Sequence, residues 1–400
     1  MDKTTNVNRQ NEQNTENFKY YDFYASFQIE RKALEKSKEE IDELTTGLGK
    51  YSEIKDVLSR IMLLITVNAV RDKQGNICKL PNNVYADVYA KVGERNYSMG
   101  LKALIHSNGN YNDYLQCKLS ELSLLGINSP VDLSSLPKGS WVLEFPITLT
   151  KPFISKDDIP FYIIENPVRK DRVFGVPFVS AMVWKGNLRW TMMKVFLEKQ
   201  ETRSNPDKFT QIRFRHTLLF GTEKGWGETK GWTEYLDDLC PNAKEKHESM
   251  LKEKFNRKNA KDVHTQGMLY FYPTFWDKID MLVINPHDRR TKTGKNPIYF
   301  EVVPAGAKGV FRLVYVPFYW SGLSENELKK KVIEDLKDVI IGVREMMLTY
   351  GFSAKKSSGF GVIEDGWDKD ESRLEVKGFY DVQRFGNFEE LEEVVKNLEG

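Results

Sequence analysis

Apolar residues in the first third of the chain recur with helical spacing. Ile41, Leu44 and Leu48 fall at i, i+3 and i+7, and Ile54, Val57, Leu58, Ile61 and Leu64 continue a similar stripe after the break at Gly47-Leu-Gly49. Such spacing puts the apolar side chains on one buried helical face. Residues 18–139 are therefore expected to be a mainly helical extension, closing at the Pro/Gly/Ser-rich passage 126–140. Residues 1–17, rich in Asn, Gln and Thr and lacking any aromatic residue, are expected to be a disordered tail.

The period then changes. Trp141 to Thr150 alternates as a half-buried strand would, with Pro146 arguing for an edge or a bulge. Pro297 to Val303 and Val310 to Phe318 read as two further strands across the turn 304–308. Ser324-Glu-Asn-Glu327 is a capping box, and Leu328, Val332, Leu336, Val339, Val343 and Met346 form the stripe of the helix it opens. Gly351 ends that helix, and a last strand is expected over Phe360 to Ile363. Strand, helix, two strands, helix, strand is an α+β order that permits a ferredoxin-like plan. Residues 191–266, rich in Lys, Glu and Trp, would be a large insertion, and 366–400 a C-terminal extension.

Composition adds limits. The 400 residues, 40% of them hydrophobic, suffice for a sizeable core and for more than one unit. A formal net charge of +2 means that any surface for nucleic acid is a local patch rather than a global field. No apolar run is long enough to span a bilayer, and the N-terminus has no apolar signal core, so a cytoplasmic protein is expected, with no membrane partner. Cys78, Cys117 and Cys240 form neither a disulfide framework nor a CxxC pair.

Two segments carry candidate chemistry. Gly351-Phe-Ser-Ala-Lys-Lys-Ser-Ser-Gly-Phe-Gly361 gathers Lys355, Lys356, Ser357 and Ser358 between glycines, which suits phosphate: backbone N–H groups approach closely, hydroxyls donate, lysines supply charge. A basic surface turn would have the same composition. Glu165-Asn-Pro-Val-Arg-Lys-Asp-Arg172 holds Arg169, Lys170 and Arg172 and leads to a helix start with Lys185 and Arg189 at i and i+4. That spacing puts both cations on one face, suited to a phosphodiester backbone, or to plain solvation. His216, His264 and His287 have no second His or Cys at metal spacing, and no metal site is expected from them.

These segments resemble the RAMP superfamily, the backbone subunits of type III CRISPR effector complexes. The 165–189 stretch is similar to the family's loop of acidic residue, Pro-Val, Arg and Asp followed by Lys-Gly-x-Leu-Arg, and Gly351–Gly361 to its C-terminal glycine-rich loop. Between them, Leu219-Phe220-Gly221 and Gly267-Met-Leu-Tyr-Phe271 resemble further family elements in the same order. Ile284-Asn-Pro-His287, Asn296 to Gly306 and Phe311-Arg-Leu313 are similar to the Cmr-type subunit near the guide 3′ end, with type III-D-like relatives close by. One departure stands out: Ser180-Ala-Met-Val183 replaces a glycine and two hydroxyls at the helix start.

The resemblance, over about 140–365, implies an RRM-like ferredoxin core with large insertions, binding of guide (CRISPR) RNA and target RNA, and assembly with other type III effector subunits. It also implies, for cleaving members, an aspartate after the first strand that cuts target RNA with a divalent metal; Asp157 or Asp158 stands at about that place, with Mg2+ or Mn2+ as cofactor if the chain cuts. A stand-alone metal-dependent endoribonuclease processing precursor guide RNA is an alternative, although it would need a general base near the lysine-rich loop. A protein-interaction scaffold that binds no RNA is another, and it would show no salt-dependent RNA affinity.

Overall fold

A computed structural model describes residues 43–44, 46–71, 77–79, 110–157, 166–223, 231–284, 290 and 298–398. The expected tail 1–17, Asp158, Glu165, His287 and the Asn-Pro pairs at 285–286 and 296–297 lie outside the described residues. In chain order the elements begin with α1 (Val57–Asn68), β1 (Ala69–Arg71), β2 (Ile77–Lys79), α2 (Asn110–Leu124), β3 (Trp141–Thr148), β4 (Phe178–Val179) and α3 (Ala181–Met192). Four helices follow, α4 (Gln200–Arg203), α5 (Pro206–Phe220), α6 (Trp232–Leu239) and α7 (Lys244–Phe255). Next come β5 (Leu269–Phe271), β6 (Thr274–Phe275), β7 (Asp280–Ile284), β8 (Ile298–Val302), β9 (Lys308–Tyr315) and α8 (Glu325–Glu345). The chain closes with β10 (Arg373–Val376), β11 (Tyr380–Gln383) and α9 (Phe388–Leu398).

Mixed helix and antiparallel sheet is the observed class. The main sheet has five strands in the order β11-β10-β3-β9-β5, all neighbouring pairs antiparallel. Trp141 lies opposite both Val376 and Tyr315, so β3 is central, not the edge strand that Pro146 suggested. Proline is tolerated there because β10 reaches only Glu144, leaving Pro146 with β9 as its one neighbour. The strand expected over Phe360 to Ile363 reduces to a single bridge between Ile363 and Leu149. Its place beside β3 is taken by β10, from beyond residue 365. The strands on either side of the 304–308 turn also part company: β8 pairs with β7, whereas β9 joins the main sheet.

The sheet buries Trp141, Leu143, Phe145 and Ile147 against α3 and α8, which contribute Trp184 and Leu188, and Val332, Leu336, Val339 and Val343. The capping box at Ser324 and Glu327 is present, as the pattern predicts. The two helices approach closely at Gly342, where a side chain would begin 2.4 Å from Met192 Cγ. The outer face of the sheet is covered in part by the chain before β3: Leu133 packs on Val142 and Val314. Beside it Glu144 pairs with Arg312 at 3.0 Å and Arg373 at 3.4 Å, and Arg312 donates to Asn128 Oδ1 at 2.7 Å. Removing Glu144 would leave two guanidiniums without their shared counterion in a partly dry layer.

A second small core gathers Met193 and Leu197 from the turn that follows α3, Phe209 of α5, Leu236 of α6 and Cys240. Arg213 anchors it, donating to Glu223 at 3.0 and 2.8 Å and to Asp237 at 2.8 Å. A second tie runs to the main body, where buried Asp335 on α8 accepts from Arg215, Tyr315 and Trp320 at 3.1, 2.7 and 3.0 Å. Burial raises the Asp335 carboxyl above its usual range, and the Arg215 charge opposes that rise.

Candidate nucleic-acid interface

Beyond β3 the chain continues as an extended strap over residues 149–157, and both motif segments attach to it. On one side it meets the glycine-rich loop: Thr150 N–H donates to Val362 O at 3.0 Å, Gly361 N–H to Pro152 O at 3.1 Å, and Ala354 N–H to Ile154 O at 3.0 Å. Ser353 Oγ accepts from Ile154 N–H at 2.7 Å and donates to Ile154 O at 3.1 Å. On the other side Phe153 exchanges bonds of 2.8 and 3.0 Å with Val303, while Arg169 N–H reaches Ser155 O at 3.2 Å and Asp157 N–H reaches Pro167 O at 3.1 Å. Backbone pairing thus ties the segments around 153, 168 and 354 to one another.

The glycines permit a backbone folded on itself. Gly351, Gly359 and Gly361 have φ of 70°, 74° and 72°, a region that other residues enter at a cost. A side chain on Gly361 would begin 2.6 Å from Ser353 N, and one on Gly351 2.6 Å from Phe360 O. Lys356–Ser358 makes one 3-10 turn, in which the Ser358 and Gly359 N–H groups donate to Lys355 O and Lys356 O at 2.9 and 2.8 Å. Those two N–H groups are therefore used within the loop, and the exposed Ser357 and Ser358 side chains and Lys355 form its outward face.

The paired lysines divide. Lys355 is exposed, its Nζ 5.5 Å from the Phe300 ring centre. Lys356 lies half-buried with Nζ 4.3 Å from the Trp190 ring centre, and burial lowers its pKa. Of the two lysines expected to face phosphate, Lys355 is exposed and Lys356 rests on a ring. Lys151, exposed on the strap, also meets this loop, with Nζ 3.2 Å from where a side chain on Gly359 would begin. Sequence reasoning missed Lys151, because only pairing across more than two hundred residues brings it to the loop.

The Arg169–Arg172 loop is a tight hairpin. Asp171 Oδ1 accepts from Val173 and Phe174 N–H, each at 2.9 Å, and the exposed Arg172 stands at the tip. Arg169 lies 5.7 Å from the Phe178 ring centre. Lys170 is turned inward, buried against Glu301, whose carboxylate also accepts from Val168 N–H at 3.1 Å. A buried pair of this kind leaves no charge for a phosphate, so Lys170 departs from its expected role. Glu301, a lone charge in an apolar strand, was the available signal and was passed over.

Helix α3 starts at Ser180, whose Oγ accepts from Val183 N–H, and packs Trp184 against Phe352 at 4.5 Å. Asn187 donates to Phe352 O at 3.3 Å, so this helix abuts the glycine-rich loop. Lys185 and Arg189 do not act as one open face. Lys185 is half-buried, and Arg189 points to the root of α5, donating to Gly221 O at 3.4 Å. Burial lowers the Arg189 pKa against the opposing charge of Glu223. His216 Nε2 lies 3.1 Å from Arg189 O, and burial together with the Arg189 charge pushes this histidine down to about 4. That is a structural histidine and a poor base.

Asp157 is half-buried on the strap beside Pro167. Among the described residues no group of three or more His, Cys, Asp or Glu side chains could hold a metal ion. Asp157 by itself does not make a Mg2+ or Mn2+ site. No helix among the described residues is long and apolar enough to cross a membrane.

Comparison with known proteins follows the same lines. A chain in a cryo-EM structure of the type III-B Cmr-beta complex bound to cognate target RNA is 14% identical, covering 86% of this chain and 99% of that one, with a TM-score of 0.39. One in a Csm3–Csm4 subcomplex of the type III-A CRISPR-Cas interference complex is 14% identical over 65% and 96%, at 0.31. Another, in a CRISPR RNA-guided surveillance complex before nicking, is 11% identical over 59% and 77%, at 0.32. No curated protein matches the chain. The family model for the RAMP superfamily matches residues 118–364, well over half of the 400, and on that ground the chain belongs to the RAMP superfamily.

Proposed function

We propose that this chain is an RNA-binding backbone subunit of a type III CRISPR effector, holding guide-RNA phosphates along the surface shared by the strap, the glycine-rich loop and the Arg169–Arg172 hairpin. The observation that carries this is that Lys151, Lys355 and Arg172, all exposed and without a carboxylate partner among the described residues, stand on three segments that backbone bonds tie together. Cations left unpaired on a rigid frame suit a polyanion, since each can replace a condensed counterion on a phosphate. Arg169, Ser357 and Ser358 would add donors at the margin, and Lys185 a charge beside them. Strand order β10-β3-β9-β5 with α3 and α8 in the two crossovers supports a ferredoxin-like core under this surface.

Guide RNA, target RNA and neighbouring effector subunits are the partners this reading names. Its extension to target cleavage rests on Asp157 and on Asp158 beside it in sequence. The described residues do not compose a site for a metal. The role left for Asp157 is to orient a ribose 2′-hydroxyl for in-line attack. Sequencing RNA that co-purifies with the chain from its native host tests the reading: repeat-derived guide RNA is expected, and absence of enriched RNA refutes it.

A further inference from the structure

Arg172 and Val173 stand exposed at the tip of the hairpin, yet the next two residues are held from outside it. Helices α1 and α2, which belong to the N-terminal part of the chain, supply that grip. Tyr114 Oη donates to Phe174 O, and the buried Tyr111 hydroxyl lies 3.5 Å from Gly175 O. Gly175 has φ of 67°, and a side chain there would begin 2.8 Å from Leu58 Cδ1 and 3.0 Å from Tyr114 Oη. The hairpin contributes its own bonds, Gly175 N–H to Asp171 O and Asp171 N–H to Val176 O, each at 2.9 Å. Those internal bonds set the shape of the turn but leave its direction to whatever packs on it. Burial raises the pKa of both tyrosines, so each hydroxyl keeps its proton and remains a donor.

We infer that α1 and α2 are a brace for the Arg172 hairpin: Leu58, Tyr111 and Tyr114 are positioning residues that fix where Arg172 meets RNA. The inference rests on the RNA-binding reading and gives the N-terminal helices a part in it. A cation on a wandering tip loses orientational freedom on binding, and a brace removes that loss beforehand.

Tyr114→Phe, which removes one hydroxyl, and Leu58→Ala are tested in the full chain, with melting curves to establish folding. Without RNA, hydrogen exchange of the 171–176 amides is expected to speed up about fivefold in Tyr114→Phe, the effect of one typical hydrogen bond. With single-stranded guide-type RNA, affinity is expected to fall by a similar factor. The decisive measurement is a double-mutant cycle. Arg172→Ala should weaken binding clearly in the wild type and less than half as much, in free-energy terms, in the Tyr114→Phe background. A general loss of stability would not produce that coupling. Unchanged exchange in both variants, or an Arg172→Ala effect equal in the two backgrounds, overturns the inference. Lys355→Ala separates the two levels. If it is impaired while the cycle is additive, only the brace falls; if Lys355→Ala and Arg172→Ala both bind as wild type, the RNA reading falls and takes the brace with it.

Discussion

Replacing Lys151 and Lys355 with alanine tests the proposed surface most directly, because the structure separates them from Lys356. Both are exposed, and neither has a carboxylate partner among the described residues, so their loss should disturb little else. For single-stranded nucleic acid each phosphate neutralised contributes about 0.7 to the slope of log affinity against log salt. Two contacts therefore contribute about 1.4. Between about 50 and 200 mM salt, a fourfold change, the wild type should lose roughly sevenfold more affinity than the double variant. Lys356→Ala is the internal control: its ammonium rests on Trp190 and is partly desolvated, so removal should soften the loop without changing the slope. The assay is a filter-binding titration with one guide-type RNA and one unrelated RNA at four salt concentrations. Equal slopes for the wild type and the Lys151/Lys355 variant refute the reasoning, and so does a slope change in Lys356→Ala as large as in the double variant.

Gly361→Ala should destabilise the chain by about 2 kcal/mol, since alanine is strained at φ 72° and its Cβ would meet Ser353 backbone; thermal melting with and without RNA checks it. His216 and His247 are both pushed down to about 4 by burial, each with a guanidinium charge adding to the effect. Their unfolded forms take up protons first, so stability should be complete above about pH 6.5 and fall towards pH 4, by up to about 3 kcal/mol per histidine; denaturant melts across that range should flatten in a His216→Gln, His247→Gln variant, and an unchanged profile refutes the assignment. Asp157→Asn, in an assembled complex given complementary RNA and either Mg2+ or Mn2+, should abolish one cleavage product while leaving RNA affinity nearly intact; an intact product ladder confines the strap to binding. Arg189→Lys should lower the melting temperature more than it weakens RNA binding, because the guanidinium is spent within the fold, donating to Gly221 O.

Much of this protein was legible in the sequence because local physics specified it. The capping box at Ser324, the stripe from Val332 to Val343 and the glycine stop at Gly351 are interactions among residues a few positions apart, and the spacing alone determines the helix. The motifs from Glu165 to Arg189 and from Gly351 to Gly361, with their order, were enough to point to the family that the match over 118–364 establishes. What the sequence did not determine is pairing. A strand pattern such as Trp141 to Thr148 fixes which side chains face the core but not which strands lie beside it, so the central place of β3, the entry of β10 from beyond residue 365, and the parting of β8 from β9 were decided by tertiary structure. Charge behaves similarly. Lys151, Lys170, Lys355 and Lys356 are one residue type with one intrinsic pKa, and a lysine stays exposed, closes a buried pair with Glu301 or settles on Trp190 according to what lies within a few ångströms. Those neighbours come from segments more than a hundred residues away, brought together by backbone bonds along the strap, and only the folded chain determines which cations remain free for a ligand.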